Sequence, residues 1–437
     1  MTQFHLREWD RLPFGDGPGQ IPEPLAERLV TVAKASPFAG SGEGGVLEHH
    51  RHHIRARGVV GVIAAPGVRL EILPKIDLPP GEAGETREAG DAAVRRRLVH
   101  MLAVALDLRL DPGAVTGLSW QKETLLDILI RLFADKLTEA LRRGMPRRYT
   151  GLEDDLPALR GRLDVTRQFT AHAVNPSRLA CRFDALSEDI ALNRILKATV
   201  THLARMTGSG ALRGRLRDLA FVYAEIADVA PAALDWDKVV LDRTNRAWAE
   251  LLAMARLFLQ NRYQTTSLGR VEGTALLFEM DALFEDYIGR LIRRGVQNRG
   301  HTVTLQGGHL YCLNECDSGR GLFRTKPDIL IRRGGQVVQV IDTKWKRISA
   351  RIEDAKQGVS QADVYQMMAY AQLYRAPRVT LLYPHHQGLA TPEGVQARFT
   401  ISGHPTVVET ASIDVGQGAG LAARLAALVL PEAVLQG

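Results

Sequence analysis

KPDILIRRGGQVVQVIDTKWK, residues 326–346, sets two runs rich in Ile, Leu and Val on either side of Arg333-Gly334-Gly335-Gln336. Paired glycines accept the positive φ that a tight reversal needs, so the stretch predicts a β-hairpin with strands over 328–331 and 337–341. Side chains on a strand alternate faces, which puts Asp342 and Lys344 on one side and Thr343 and Trp345 on the other. Asp328 opens the first strand directly after Pro327, a residue tolerated where a ladder begins. Folding at Gly334-Gly335 brings Asp328 beside the Asp342 end of its partner strand. Two carboxylates and one ammonium are thereby expected to converge.

The chemistry of such a cluster follows from charge. Neighbouring carboxylates repel, and one keeps its proton unless a cation sits between them. Mg²⁺ suits the position, being a hard ion that takes oxygen ligands and keeps several waters, and Mn²⁺ is expected to replace it. Such an ion eases deprotonation of water, and an adjacent ammonium stabilises charge building on an attacked phosphate. Metal-assisted phosphodiester hydrolysis is the expected reaction.

A bare Asp-x-Lys triplet is weak evidence, and the chain carries its own control. Asp354-Ala355-Lys356 has the same letters in a charged stretch with no apolar strand before it, where a solvated surface pair is the plain reading. Two flanking segments strengthen the first triplet. Upstream, residues 279–294 (EMDALFEDYIGRLIRR) carry Leu283, Phe284, Tyr287, Ile288 and Leu291 at helical spacing, with Glu285 among them. Downstream, residues 361–375 (QADVYQMMAYAQLYR) set Gln366 and Tyr370 one turn apart on a single helix face. Alone, Glu285 would read as a solvated helix residue, and the Met367, Met368 and Tyr370 group as core packing.

The predicted order is helix, strands over about 301–313, 322–332 and 336–345, helix over 361–375, and strand over 378–383. In order and motifs this resembles the PD-(D/E)xK nuclease superfamily, with Glu285 at the first-helix acidic position and Asp328 with Asp342-x-Lys344 as the signature. Gln366-x-x-x-Tyr370 is similar to the following-helix motif of the RecB-like branch. More narrowly, the chain resembles the McrC family, the nuclease subunits of McrBC-type modification-dependent restriction systems. The phrases that carry the likeness are LPKI (73–76), LRGRLDV (159–165), SEDIALNRILK (187–197), LFEDYI (283–288) and DTKW (342–345). The resemblance implies a partner, McrB, a GTP-hydrolysing AAA+ ring that receives an amino-terminal region of the subunit and is stimulated by it. It also implies DNA cutting by the carboxy-terminal domain.

Composition agrees with these expectations. The 437 residues allow two or three domains, and 45% hydrophobic with 24% charged residues is ordinary for a soluble protein with a sizeable core. A net charge of +7 draws the chain to polyanions without singling out nucleic acid. No apolar run approaches the roughly 20 residues of a membrane span, and the amino terminus lacks the apolar core of a signal peptide, so a cytoplasmic protein with no membrane contact is expected. Cys181, Cys312 and Cys316 suit a reducing compartment; the last two read as half-buried strand residues rather than zinc ligands, since no second pair is present.

From the amino terminus, residues 24–35 predict a short amphipathic helix. GSGEGG contains Gly-x-Gly-x-x-Gly at Gly40, Gly42 and Gly45, but follows a helix, the reverse of a dinucleotide site. With no Gly-Lys-Ser/Thr anywhere, no nucleotide is expected on this chain. His49, His50, His52 and His53, with Arg51, Arg55 and Arg57, read as a solvated cationic strand. Residues 59–63 and 68–73 predict a half-buried hairpin, and 79–90 a flexible acidic connector. Helical spacing begins near Asp91 and recurs over 189–227 and 243–262, around an extended segment at 149–163. Arg142, Arg143, Arg147 and Arg148 form a basic turn. Asp164, Asp184, Glu188 and Asp189 read as caps and surface charges. Short strands at 398–401 and 407–413 and a helix over 418–430 close the chain.

The expected architecture is α/β and multi-domain: a β-rich, partner-docking region over 1–90, a mainly helical middle over 91–270, and a restriction-endonuclease-like core over 271–437. Two functions compete. The first is a Mg²⁺-dependent DNA endonuclease in which Glu285, Asp328 and Asp342 hold the metal and Lys344 positions or activates water. Gln366 and Tyr370 then support the site or touch the phosphate backbone. The second is an assembly factor that docks on an NTPase motor and stimulates it, with cleavage secondary or absent.

Overall fold

The computed structural model describes residues 2–35, 45–78, 86–108, 123–173, 177–243, 245–259, 263–268, 271–297, 299–349, 358–418 and 420–430. Gly40, Gly42, the Asp354-x-Lys356 control and most of the acidic connector lie outside them. The described chain is α/β throughout. Its contacts gather residues 1–125 with 265–437 in one compact unit and residues 126–264 in a second. The sequence divides the chain at about 90 and 270 instead; the difference arises because the strand that precedes the Glu285 helix pairs with the amino-terminal sheet.

In chain order, β1 (Thr2–Arg7), β2 (Arg11–Pro13), α1 (Glu23–Lys34), β3 (Leu47–His49), β4 (His53–Ala56), β5 (Val59–Ala65), β6 (Val68–Leu73) and α2 (Arg87–Ala105) build the first part. β1 runs parallel to β6, and β6 pairs antiparallel with β5 across Pro66-Gly67. β2, β4 and β3 form a separate three-stranded sheet, with His50 and His53 stacked at its turn, ring centroids 4.5 Å apart. The β5–β6 hairpin is not half-buried as expected. α1 and α2 both pack on β6, so all six of its residues are buried, Arg69 and Glu71 included. α2 also begins earlier than Asp91, because the Thr86 hydroxyl accepts the Ala89 N–H at 3.2 Å and caps the helix.

The second unit contains nearly all of α3 (Leu125–Arg142), then β7 (Arg148–Leu156), β8 (Arg162–Leu163), α4 (Val165–Thr170), β9 (Leu179–Ser187), α5 (Ala191–Met206), α6 (Gly210–Val222) and α7 (Ala249–Leu259). β7, β9 and β8 pair in that order. The acids there act as caps and ion-pair partners: Asp164 accepts the Arg167 N–H, Asp189 grips Arg194, and Glu188 pairs with Arg147. Tyr149 and Phe169 stand 69% and 74% exposed around this sheet, more apolar surface than helical spacing announced.

The chain returns through β10 (Tyr263–Leu268) and β11 (Val271–Glu279) into α8 (Met280–Val296). β11 pairs antiparallel with β5. A Cβ on Gly61 would lie 1.9 Å from the Leu276 carbonyl oxygen, so only glycine admits this approach. Next come β12 (His301–Leu305), β13 (Tyr311–Asn314), β14 (Gly321–Arg324), β15 (Ile329–Arg333), β16 (Gln336–Thr343), α9 (Gln361–Tyr374), β17 (Arg378–Pro384), β18 (Gly394–Thr400), β19 (Val407–Ile413) and α10 (Leu421–Val429). A six-stranded sheet runs β12-β15-β16-β17-β19-β18. Leu330, Val340, Val379 and Leu381 of this sheet pack against Met367, Tyr370 and Tyr374 of α9.

The long strands expected at 301–313 and 322–332 are each interrupted. Gln306 and His309 adopt φ of +47° and +54°, which ends β12 and lifts β13 and β14 away as a two-stranded arm. Cys312 and Cys316 lie on that arm and are exposed, not half-buried.

Candidate active site

The hairpin forms as the sequence predicts. β15 and β16 pair antiparallel, Gly334 and Gly335 have φ of +55° and +84°, and Ile329 lies opposite Ile341. That register puts Asp328 beside the end of β16. One Asp328 oxygen accepts the Thr343 backbone N–H at 2.7 Å and the Thr343 hydroxyl at 2.9 Å. Asp342 is 1% exposed, and the Lys344 ammonium lies 2.8 Å from its Oδ2. The ammonium approaches off the hydrogen-bonding direction, so this buried oxygen has an ionic neighbour but no aligned donor. Gln366 donates to the other Asp342 oxygen at 3.2 Å and to the Tyr370 hydroxyl at 2.7 Å. Five of the six expected site residues therefore meet in one linked group.

Glu285 stands at its edge. It is half-buried on α8, bonds Gln306, and feels the charges of its neighbour Asp286, then of Lys326 and Asp342. Burial raises its carboxyl above the ordinary range. Burial likewise raises Asp328, with the Glu285 charge next, and raises Asp342, with the Asp328 charge next. Lys344 loses solvation on burial, yet Asp342, Asp363 and Asp328 outweigh that loss and hold it protonated. Asp328, Asp342 and Asp363 thus all bear on the Lys344 ammonium.

This arrangement suits a hard divalent ion. Two strand carboxylates repel each other, one oxygen lacks an aligned donor, and a third carboxylate lies within electrostatic reach. Among the described residues no three His, Cys, Asp or Glu side chains form a ready-made ligand cage. Mg²⁺ needs no such cage, because it keeps several waters and takes one or two carboxylates.

Sequence reasoning missed three supports. Asp363 faces Lys344 at 3.6 Å and Lys346 at 3.2 Å, and completes a capping box with Ser360 at the start of α9. The Ser-x-x-Asp spacing before an apolar run was its available signal. Thr343, expected on the opposite face, holds Asp328. Trp345 bonds Asp281 of α8 through its backbone N–H at 3.1 Å and Glu8 through its indole N–H at 2.7 Å. The contact with Glu8 joins residues 337 positions apart and leaves no local pattern.

Comparison with known proteins gives concordant likenesses. A family model described as McrBC 5-methylcytosine restriction system component matches residues 54–384. The type IV methyl-directed restriction enzyme EcoKMcrBC of Escherichia coli (strain K12) is 23% identical over 297 residues, which is 64% of this chain and 81% of that protein. In a solved half-complex of Thermococcus gammatolerans McrB AAA+ hexamers with bound McrC, one chain superposes with a TM-score of 0.68 at 20% identity. That match covers 97% of this chain and 98% of the other. A Thermococcus gammatolerans McrBC complex gives a TM-score of 0.52 at 24% identity, over 68% of this chain and 88% of its own. At these identities the structural likenesses speak for the fold.

Proposed function

This chain belongs to the McrBC 5-methylcytosine restriction system component family as an McrC-type subunit, and on that premise we propose that it is a Mg²⁺-dependent DNA endonuclease of the PD-(D/E)xK type. It would act in the cytoplasm with a McrB-like AAA+ GTPase ring, in a hetro-oligomer that restricts DNA. The carrying observation is the buried pair Asp328 and Asp342, both raised chiefly by burial, with the Glu285 charge next at Asp328 and the Asp328 charge next at Asp342, beside a Lys344 kept protonated.

When bound, Mg²⁺ or Mn²⁺ would supply Lewis-acid polarisation of the phosphate and ease deprotonation of water. Asp328 and Asp342 would hold it directly in this reading, with Glu285 as the third acid. Thr343 fixes the orientation of Asp328, and Gln366, backed by Tyr370, fixes that of Asp342. Lys344 places its ammonium where negative charge develops on the phosphate, and Asp363 keeps that ammonium turned inward.

The second reading, an activator of the motor with cleavage secondary, is favoured by the apolar surface of the second unit, where Tyr149 and Phe169 lie exposed. The two roles separate experimentally. Asp342→Ala and Lys344→Ala each abolish DNA cleavage by the assembled complex while stimulation of partner GTP hydrolysis persists. Cleavage retained in both variants refutes the site assignment.

A further inference from the structure

Glu8 is a buried acid that the reaction described above does not use. It follows β1 in the turn to β2, where Trp9 takes a φ of +66°. The residue is 1% exposed. Its Oε1 accepts the Lys75 backbone N–H at 2.8 Å and the Trp345 indole N–H at 2.7 Å, while Oε2 is buried with no hydrogen-bond partner. Burial, with a smaller contribution from Asp281, pushes its carboxyl up to about 7 against those two hydrogen bonds. A buried carboxyl with an unmet oxygen is a net cost to folding, and an apolar side chain would fill the space without it.

What Glu8 holds explains the arrangement. Trp345 directly follows Lys344, beyond the end of β16 at Thr343. Three contacts fix it: the indole on Glu8, the backbone N–H on Asp281, and the ring against Phe284 with centroids 5.2 Å apart. Asp281 and Phe284 belong to α8, which carries Glu285. Trp345 is therefore the joint between the segment bearing the lysine and the helix bearing the third acid. Glu8 closes that joint from the amino-terminal side. Next to it, the Trp9 N–H bonds the Ala56 carbonyl, and the Arg55 and Arg57 guanidinium groups lie 5.4 Å and 5.9 Å from the Trp9 ring, which ties the turn to β4.

We propose that Glu8 is a positioning residue for phosphodiester hydrolysis, holding Trp345 and through it the relative placement of Lys344 and Glu285, so that the site's geometry depends on the β2–β4–β3 sheet. The proposal rests on the nuclease reading above. Glu8 lies outside the residues matched by the family model, which begin at 54.

The test uses the full-length chain with its AAA+ partner and DNA, and compares Glu8→Ala, Glu8→Gln and Trp345→Phe. Glu8→Ala and Trp345→Phe lower kcat by about 10- to 100-fold, the scale of a small misplacement of reacting groups, with KM for DNA and partner hydrolysis unchanged. Glu8→Gln keeps the acceptor oxygen and restores most of kcat. The Trp345 contribution to emission, taken for each protein as the difference from its own Trp345→Phe counterpart, shifts in Glu8→Ala and not in Glu8→Gln. Wild-type kcat in Glu8→Ala overturns the proposal, as does a loss of activity that only tracks a loss of folded protein by circular dichroism. Absence of cleavage by the wild-type complex fails the nuclease reading itself; cleavage by wild type that Glu8→Ala leaves intact fails this proposal alone.

Discussion

Two buried acid centres in the same compact unit have opposite electrostatics. On β6, Glu71 is fully buried, yet Arg95 donates to both its oxygens at 2.9 Å and 2.6 Å, the Leu125 N–H donates at 2.7 Å, and His5 adds a fourth contact at 2.9 Å. Burial acts to raise its carboxyl, but the bonds from His5, Arg95 and Leu125 prevail and hold it down to about 2. On β16, Asp342 is as deeply buried but meets one amide donor, a misaligned ammonium and a second carboxylate, and its carboxyl is raised. A buried acid that serves the fold is saturated with donors; one available to a ligand is left short of them.

Breaking each centre should therefore fail differently. Asp342→Ala has the largest expected effect, a loss of cleavage by about 10²–10³-fold or more, as for removal of a transition-state charge stabiliser, measured on the assembled complex with plasmid DNA. Its melting temperature without metal stays level or rises. Glu71→Ala should instead cost about 3–5 kcal/mol of stability by leaving Arg95 buried and unpaired, read by thermal and denaturant unfolding. Equal melting temperatures for Glu71→Ala and wild type would erase the contrast.

The pH dependence sharpens it. Asp328 and Asp342 are raised above their unfolded values, so the stability they contribute is whole below the ordinary carboxylate range and is lost as pH rises through the raised values. Glu71 is depressed, so its contribution is present above the ordinary carboxylate value near 4.5 and is lost as pH falls toward about 2. Metal-free Asp342→Asn should accordingly melt above wild type near neutral pH and level with it in acid, by differential scanning fluorimetry. An unchanged difference across that range would contradict the pair's raised state.

Much of this was legible in the sequence because it is local. Gly334-Gly335 sets the hairpin, and the hairpin fixes the meeting of Asp328 with Asp342; the one-turn spacing of Gln366 and Tyr370 does the same for their hydrogen bond. What stayed hidden depends on distant packing. Arg69 and Glu71 alternate with apolar residues as on a half-solvated strand, and only the docking of α1 and α2 buries both faces. The β13–β14 arm was read as continuous strand although Gly307-Gly308 marks the break: Gly308 takes φ of +92°, and the flanking Gln306 and His309 follow it into the left-handed region. Glu8 gives no signal until Trp345 is beside it.

Docking of the partner on the amino-terminal region gives a smaller expected effect. Deleting residues 1–90 would remove β5, against which β11 pairs, and so would not separate docking from folding. Exposed Arg51, at the turn after β3, is a cleaner probe: Arg51→Glu should weaken stimulation of partner hydrolysis by a few fold and leave the melting temperature in place. Unchanged stimulation counts against docking there. Smallest of all, Asp354→Ala and Lys356→Ala should leave cleavage, stimulation and melting as in wild type.

The most direct measurement is a Mn²⁺ titration followed by electron paramagnetic resonance, on wild type, Asp328→Ala and Asp342→Ala, each with and without duplex DNA. Saturable binding in wild type that is lost in both variants is the predicted result. Binding of equal strength in all three, or none in wild type even with DNA, would contradict a cation held between these two carboxylates.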